Sequence, residues 1–204
     1  IEKMWRDTAI RHGFEEIDGP TFEHLDLYTV KSGEGIISEL FSFRREGGEK
    51  DYALRPEFTP TLARMYAAKA GSLPKPTKWF WQQNCFRAEK QQRGRLREFG
   101  QWNCDILGGE NDADAQATVD IDIVECVTGL LRTSGLTPKA AQVRLNDRLV
   151  WVAALSDIGI TGDAVVDAME LMDRRAKLSK EAFAWEAGKI GFTQDTVSAI
   201  DEVF

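Results

Sequence analysis

Residues 78–108 read KWFWQQNCFRAEKQQRGRLREFGQWNCDILG, two aromatic-rich runs separated by a polar, basic stretch that turns at Gly94. Two runs of strand composition joined by a Gly-containing loop predict a long antiparallel hairpin. Side chains alternate across a strand, so Phe99, Gln101, Asn103 and Asp105 share one face, and Trp102, Cys104 and Ile106 share the other. The second set has the composition of a core. The first joins a large ring to amides and a carboxylate. Together with Arg87, such a face could stack a flat ring, pair with a phosphate and hold a polar or cationic ligand end. Composition alone favours the plainer account, a hairpin with one solvated face and a charged tip.

A chain of 204 residues, 43% hydrophobic and 29% charged, suits a soluble globular domain with a smaller appendage. No apolar run approaches the ~20 residues of a membrane span and no signal-peptide pattern opens the chain, so no membrane association is expected. Cys85, Cys104 and Cys126 are odd in number and have no CxxC spacing, so reduced, core-packed thiols in the cytoplasm are expected rather than a disulfide framework or a zinc site. His12 and His24 lie on different segments, and no metal site is predicted. A net charge of −7 argues against indiscriminate coating of nucleic acid. A local basic contact stays open, because Lys90, Arg93, Arg95 and Arg97 coincide with the hairpin loop.

In chain order, Glu2 to Arg11 reads as an amphipathic helix, and Phe14 to Asp18 as a short strand stopped by Gly19-Pro20. Residues 31–39 have the composition of a mobile loop. Leu40 to Phe43 and Tyr52 to Leu54 read as strands around a Gly47-Gly48 turn. In Arg55-Pro56-Glu57-Phe58-Thr59-Pro60, Thr59 is placed as the N-cap of a helix through Ala70. Glu57 has no evident structural task, which makes it a candidate ligand-binding carboxylate. Asn111 to Leu131 is the strongest helix, with Asp112 or Asp114 near its start. Val143 to Leu145 is expected to be a strand leading through Asn146-Asp147-Arg148 into a helix. Beyond Gly159 only short amphipathic helices are expected, the last reaching Phe204.

Four of these segments resemble, in order, the catalytic core of class II aminoacyl-tRNA synthetases, and specifically of the histidyl-tRNA synthetase family. GFEEIDGP (13–20) looks like motif 1, and LRPEFTPTLAR (54–64) is similar to the histidine-binding segment. FRAEKQQRGRLREFGQWNCDILG (86–108) looks like motif 2. VRLNDR (143–148) resembles the strand-to-helix segment before the family's inserted domain. The resemblance implies an α+β fold, an antiparallel sheet flanked by helices, over residues 1–158. Part of a small helical insertion domain would follow over 159–204.

The implied chemistry is ATP-dependent activation of histidine to histidyl-adenylate, followed by transfer to tRNA(His). Arg87 would be the catalytic residue, holding the α-phosphate and the attacking carboxylate together. Glu89 would accept from the adenine amino group, Arg95 would reach the γ-phosphate and Phe99 would stack the adenine. Glu57, Thr59, Gln101 and Asp105 would bind the histidine, and Mg2+ would bridge the phosphates. Lys90, Gln91, Gln92 and Arg93 would lie near the tRNA acceptor end. The resemblance also implies a homodimer formed through the motif 1 region.

Phe58 stands where many bacterial members of the family carry Gly. Asp105 stands where many carry Glu, a feature of the archaeal and eukaryotic branch. No segment matches motif 3 or the second histidine-specific segment, and the anticodon-binding domain has no counterpart. With Ile1 at its start, the chain reads as a fragment of a longer enzyme. One rival is a synthetase-like regulatory subunit of ATP phosphoribosyltransferase, against which Arg87, Glu89, Arg95 and Phe99 speak because a regulatory protein needs no ATP site. Prolyl and threonyl synthetases are the other rivals, and Glu57, Gln101 and Asp105 speak against them.

Overall fold

The computed structural model describes residues 1–32, 34–90, 92–109 and 112–203, which form two compact units, Ile1–Gln142 and Val143–Phe204. The division falls ahead of the expected position at 158/159.

The first unit is built on the hairpin. Strands β5 (Thr77–Phe86) and β6 (Glu98–Leu107) pair antiparallel in an unbroken register from Thr77↔Leu107 to Phe86↔Glu98. The short β1 (Glu15–Glu16) adds to β5 in parallel, and the Ile17 amide extends it by donating to the Phe80 carbonyl. Strand β5 is therefore central, and its aromatic run is buried because both faces of the sheet are covered. Helix α1 (Glu2–Arg11) and α4 (Ala113–Thr133) cover one face, where Phe80, Ala9, Phe14 and Cys126 pack with Trp102, Cys104 and Ile106. Cys104 and Cys126 are free thiols there, with their sulfurs 3.9 Å apart. Helix α3 (Thr59–Lys69) supplies Phe58 and Leu62 to the other face, against Trp79, Trp81 and Cys85. The period-two reading of β6 holds: Trp102, Cys104 and Ile106 join one cluster, while Phe99 and Leu107 join the other.

A second antiparallel sheet, in the order β2-β4-β3, is made of β2 (Phe22–His24), β3 (Ser42–Arg44) and β4 (Asp51–Leu54). Residues expected to be a mobile loop belong instead to helix α2 (Leu25–Ser32) and a 3-10 helix, Glu34–Glu39, with Gly33 outside the described residues. The glycines that suggested a loop did not weigh against a short tight helix, which needs only two or three i→i+3 bonds. Helix α3 departs from expectation as well. Its N-cap is Phe58, whose carbonyl accepts from the Leu62 amide at 2.9 Å, and no side chain caps it. Thr59 is inside the helix, because the ring of Phe58 is drawn into the core and takes the helix start back one residue. For α4 the cap is Asp112, which accepts from the amides of Asp114 (3.1 Å) and Ala115 (2.9 Å); Asn111 lies outside the described residues.

The hairpin base ends at Gly108, where φ is +70° and a Cβ would collide with the Tyr66 hydroxyl. Gly108→Ala is expected to cost roughly 1–3 kcal/mol through backbone strain, before any displacement of Tyr66, and a urea melt against wild type measures it.

In the second unit the expected strand Val143–Leu145 is absent. No neighbouring strand pairs with it among the described residues, and Leu145 is 75% exposed. An apolar alternation makes a strand only when a ladder partner exists. The rest of the expected segment forms: Asp147 caps α5 (Arg148–Asp157) by accepting from the amides of Leu149 and Val150. Helices α6 (Ala164–Arg174), α7 (Lys180–Lys189) and α8 (Gln194–Val203) follow. Leu155 of α5 packs with Leu171, Phe183, Ala187, Val197 and Ile200, so α5 belongs to this core. Among the described residues no helix is long and apolar enough to cross a membrane.

Candidate nucleotide and amino-acid site

The open end of the hairpin encloses a cleft of about 330 Å³ lined by Arg87, Glu89, Lys90, Arg95, Arg97 and Phe99, with Gly94 and Leu96 completing the wall. The sequence explains why these converge. Phe99 and Cys85 are cross-strand partners and share a face, which Arg87 and Arg97, each two residues further along its arm, continue toward the loop. The Arg87 amide donates to the Arg97 carbonyl at 2.9 Å, which holds the two arms together past the last ladder pair. Gly94, at φ +81°, turns the chain so that Gln92 and Arg95 form a bridge.

Within the cleft the half-buried Arg87 carries the key geometry. Its Nε donates to the Pro56 carbonyl at 3.2 Å, and its guanidinium carbon lies 5.2 Å from the centre of the Phe99 ring. Its two Nη groups make no hydrogen bond among the described residues, which leaves a forked pair of donors for an oxyanion. Phe99 presents a half-buried ring for stacking. Arg95 Nη1 and Glu89 Oε2 pair at 3.3 Å across the cleft. With Arg95 largely exposed, that contact is weak and exchangeable for ligand contacts.

All four residues assigned to ATP thus line one cleft. Lys90 joins them, and Gln92 and Arg93 are exposed on the loop, whereas Gln91 lies outside the described residues. Arg97 also lines the cleft and is absent from the residues that the motif match assigns to a site. The signal was present, because it lies two positions before Phe99 and so shares its face.

The four residues assigned to histidine do not line this cleft. Gln101 and Asp105 do share the Phe99 face of β6, opposite Gln83 and Trp79. That face is covered over part of its length by the Phe58–Leu62 cluster and is less open than composition implied. Among the described residues, Gln101 Oε1 and Gln83 Oε1 are buried acceptors with no hydrogen-bond partner. Glu57 and Thr59 stand at the start of α3, and residue 56 is already in contact with Arg87.

Burial pushes the Asp105 carboxyl up from its ordinary 3.8, while a hydrogen bond from Asn103 Nδ2 at 3.0 Å opposes the shift. A carboxyl whose folded-state pKa is raised binds its proton more tightly in the folded chain. Its ionisation then destabilises the fold above that pKa, and the penalty vanishes below the unfolded value of 3.8. Asp105→Asn is therefore expected to raise the melting temperature at pH 7 by more than at pH 4. An equal change at both pH values would contradict this.

Three comparisons with known proteins bear on the site. The sequence profile described as histidyl-tRNA synthetase matches residues 1–200. The histidine--tRNA ligase of Opitutus terrae is 38% identical over 191 residues, covering 94% of this chain and 42% of that protein. The ligase of Haloarcula marismortui is 37% identical over 197 residues, with 97% and 44% covered. The chain thus spans less than half the length of the curated relatives it matches. In fold, it superposes on a histidyl-tRNA synthetase from Nostoc with a TM-score of 0.77 at 19% identity, covering 98% of this chain and 43% of that one. It also superposes on a Bacillus halodurans protein described as an ATP phosphoribosyltransferase regulatory subunit/histidyl-tRNA synthetase, with a TM-score of 0.71 at 19% identity and 98% and 50% covered.

Proposed function

The chain belongs to the histidyl-tRNA synthetase family, and from that premise we propose that its cleft binds ATP for the activation of histidine and its transfer to tRNA(His). The observation that carries the proposal is the convergence of Arg87, Glu89, Arg95 and Phe99 on one cleft. In the proposed reaction the histidine carboxylate attacks the α-phosphorus, the bond to the bridging oxygen breaks and pyrophosphate leaves. The nucleophile is the substrate's own, so the chain's residues position and neutralise charge.

The free Nη fork of Arg87 holds the α-phosphate and the incoming carboxylate. Phe99 stacks the adenine, on the ring beneath that guanidinium. Glu89 exchanges Arg95 for the adenine amino group, and Arg95 exchanges Glu89 for the γ-phosphate. Gln101 Oε1, an unpaired buried acceptor, suits a ligand N–H, and Asp105 suits the imidazole or ammonium end of histidine. Glu57 and Thr59 complete the amino-acid side. Lys90, Gln91, Gln92 and Arg93 meet the acceptor end of the tRNA. Mg2+ bound with the nucleotide would supply neutralisation of the phosphate charge.

We place the protein in the cytoplasm as a homodimer joined through the motif 1 region, residues 13–20, and assign the catalytic core to the first unit and the start of the insertion to the second, which moves α5 across the boundary expected at 158/159. The regulatory-subunit reading rests on likeness of fold at 19% identity, whereas the ligases match at 37–38% over nearly the whole chain.

Titration with a non-hydrolysable ATP analogue, with the GTP analogue as control, tests the nucleotide half of this proposal. Adenine should be favoured, and Glu89→Gln should reduce that preference by about tenfold, the value of one good hydrogen bond to a charged group. Equal binding of both analogues, or of neither, would overturn it.

A further inference from the structure

Arg55 is a buried cation, 6% exposed, whose side-chain hydrogen bonds among the described residues all go to main-chain carbonyls. Its Nε donates to Asn84 O at 2.7 Å, and its Nη1 to Gly19 O and Pro20 O, both at 3.2 Å. These acceptors lie on two separate segments, the end of residues 13–20 and strand β5. The main chain of Arg55 is pinned on both sides as well: its amide donates to Thr21 O at 3.0 Å, and its carbonyl accepts from the Phe86 amide at 2.8 Å. Burying a guanidinium without a carboxylate bonded to it is costly, and desolvation pulls its pKa down. A hydrophobic residue would fill the same space more cheaply. A planar multi-donor group is what three convergent carbonyls require, and lysine, a point charge, cannot reproduce it.

The next residue shows what this staple serves. Pro56 has a ring-fixed φ, so the direction of its carbonyl depends on how Arg55 and the following residue are held. That carbonyl receives Arg87 Nε. We propose that Arg55 is the positioning residue of the nucleotide site: it locks residues 55–57 between the 13–20 segment and β5, and so fixes the Pro56 carbonyl that aims the Arg87 guanidinium. The proposal rests on the reading of Arg87 as the phosphate-holding residue, but its geometry can be tested without ligand.

The test is an NMR measurement of the Arg87 Nε–H signal in the ¹⁵N-labelled chain, assigned by its loss in Arg87→Ala. In wild type the signal should be slow to exchange with water. In Arg55→Lys it should move toward the position of a free arginine and exchange roughly tenfold faster, the effect of losing about one hydrogen bond of a charged donor. An unchanged Arg87 signal in folded Arg55→Lys would overturn the proposal. Should that variant not fold, Pro56→Gly leaves the Arg55 side-chain bonds in place and frees only the carbonyl; an unchanged Arg87 signal there is equally fatal.

A double-mutant cycle on ATP-analogue affinity then separates positioning from general stability. Arg55→Lys should weaken binding when Arg87 is present and have no further effect in Arg87→Met, whereas equal losses in both backgrounds would show a merely structural role. If wild type binds no nucleotide, the proposed function fails, while the NMR result still decides whether Arg55 aims Arg87.

Discussion

Arg87→Ala is expected to weaken binding of a non-hydrolysable ATP analogue by roughly 10–10²-fold, the loss typical of removing a hydrogen bond between charged groups. The size follows from placement. The guanidinium is half-buried and already oriented by the Pro56 carbonyl at 3.2 Å and the Phe99 ring at 5.2 Å, so its Nη fork meets a phosphate without reordering. Arg95 and Lys90 lie on the same cleft but are exposed, and exposed charges are screened by water and salt. Arg95→Ala should accordingly cost much less than Arg87→Ala. Arg87→Lys keeps the charge and loses the fork, and it should recover only a small part of the affinity. Isothermal calorimetry at one salt concentration reads all three. Equal losses for Arg87→Ala and Arg95→Ala would mean that net positive charge, not the fork, holds the nucleotide.

Phe58→Ala is expected to destabilise the first unit by about 3–5 kcal/mol, the usual cost of deleting a buried phenyl ring. Phe58 is fully buried, its ring centroid lies 5.1 Å from that of Trp81, and the Arg55 guanidinium stands 5.9 Å from it. Gly19 makes room for the ring: a Cβ at position 19 would come within 2.6 Å of two ring atoms, so Gly19→Ala should also destabilise. Residue 58 is thus a core position here. Urea denaturation followed by tryptophan fluorescence measures both variants. A loss below 1 kcal/mol for Phe58→Ala would show that the cluster under β5 collapses to fill the gap.

Much of the nucleotide cleft was legible in the sequence because a long hairpin has one dominant rule, alternation. Once the turn was placed at Gly94, the faces of Phe99, Gln101, Asp105 and Trp102 followed, and the register bears that division out. What could not be read depends on partners distant in sequence. Val143–Leu145 has strand composition, but composition does not supply a neighbouring strand. Thr59-Pro60 has the look of a helix start, yet burial of the adjacent Phe58 moved the cap by one residue. Arg55 was visible only as part of a motif. Its acceptors are main-chain carbonyls 29 to 36 residues away, which any sequence carries, so nothing local announced its role. The amino-acid side was legible as residue types, while its assembly with the cleft depends on how α3 meets β6.

Calorimetric titration of the chain with a non-hydrolysable histidyl-adenylate analogue, beside the prolyl and threonyl analogues, tests the assignment to histidine most directly. Selective binding of the histidyl compound, lost in Asp105→Ala, is the expected result. Equal affinity for all three analogues, or binding of the histidyl compound that survives Asp105→Ala unchanged, would contradict it.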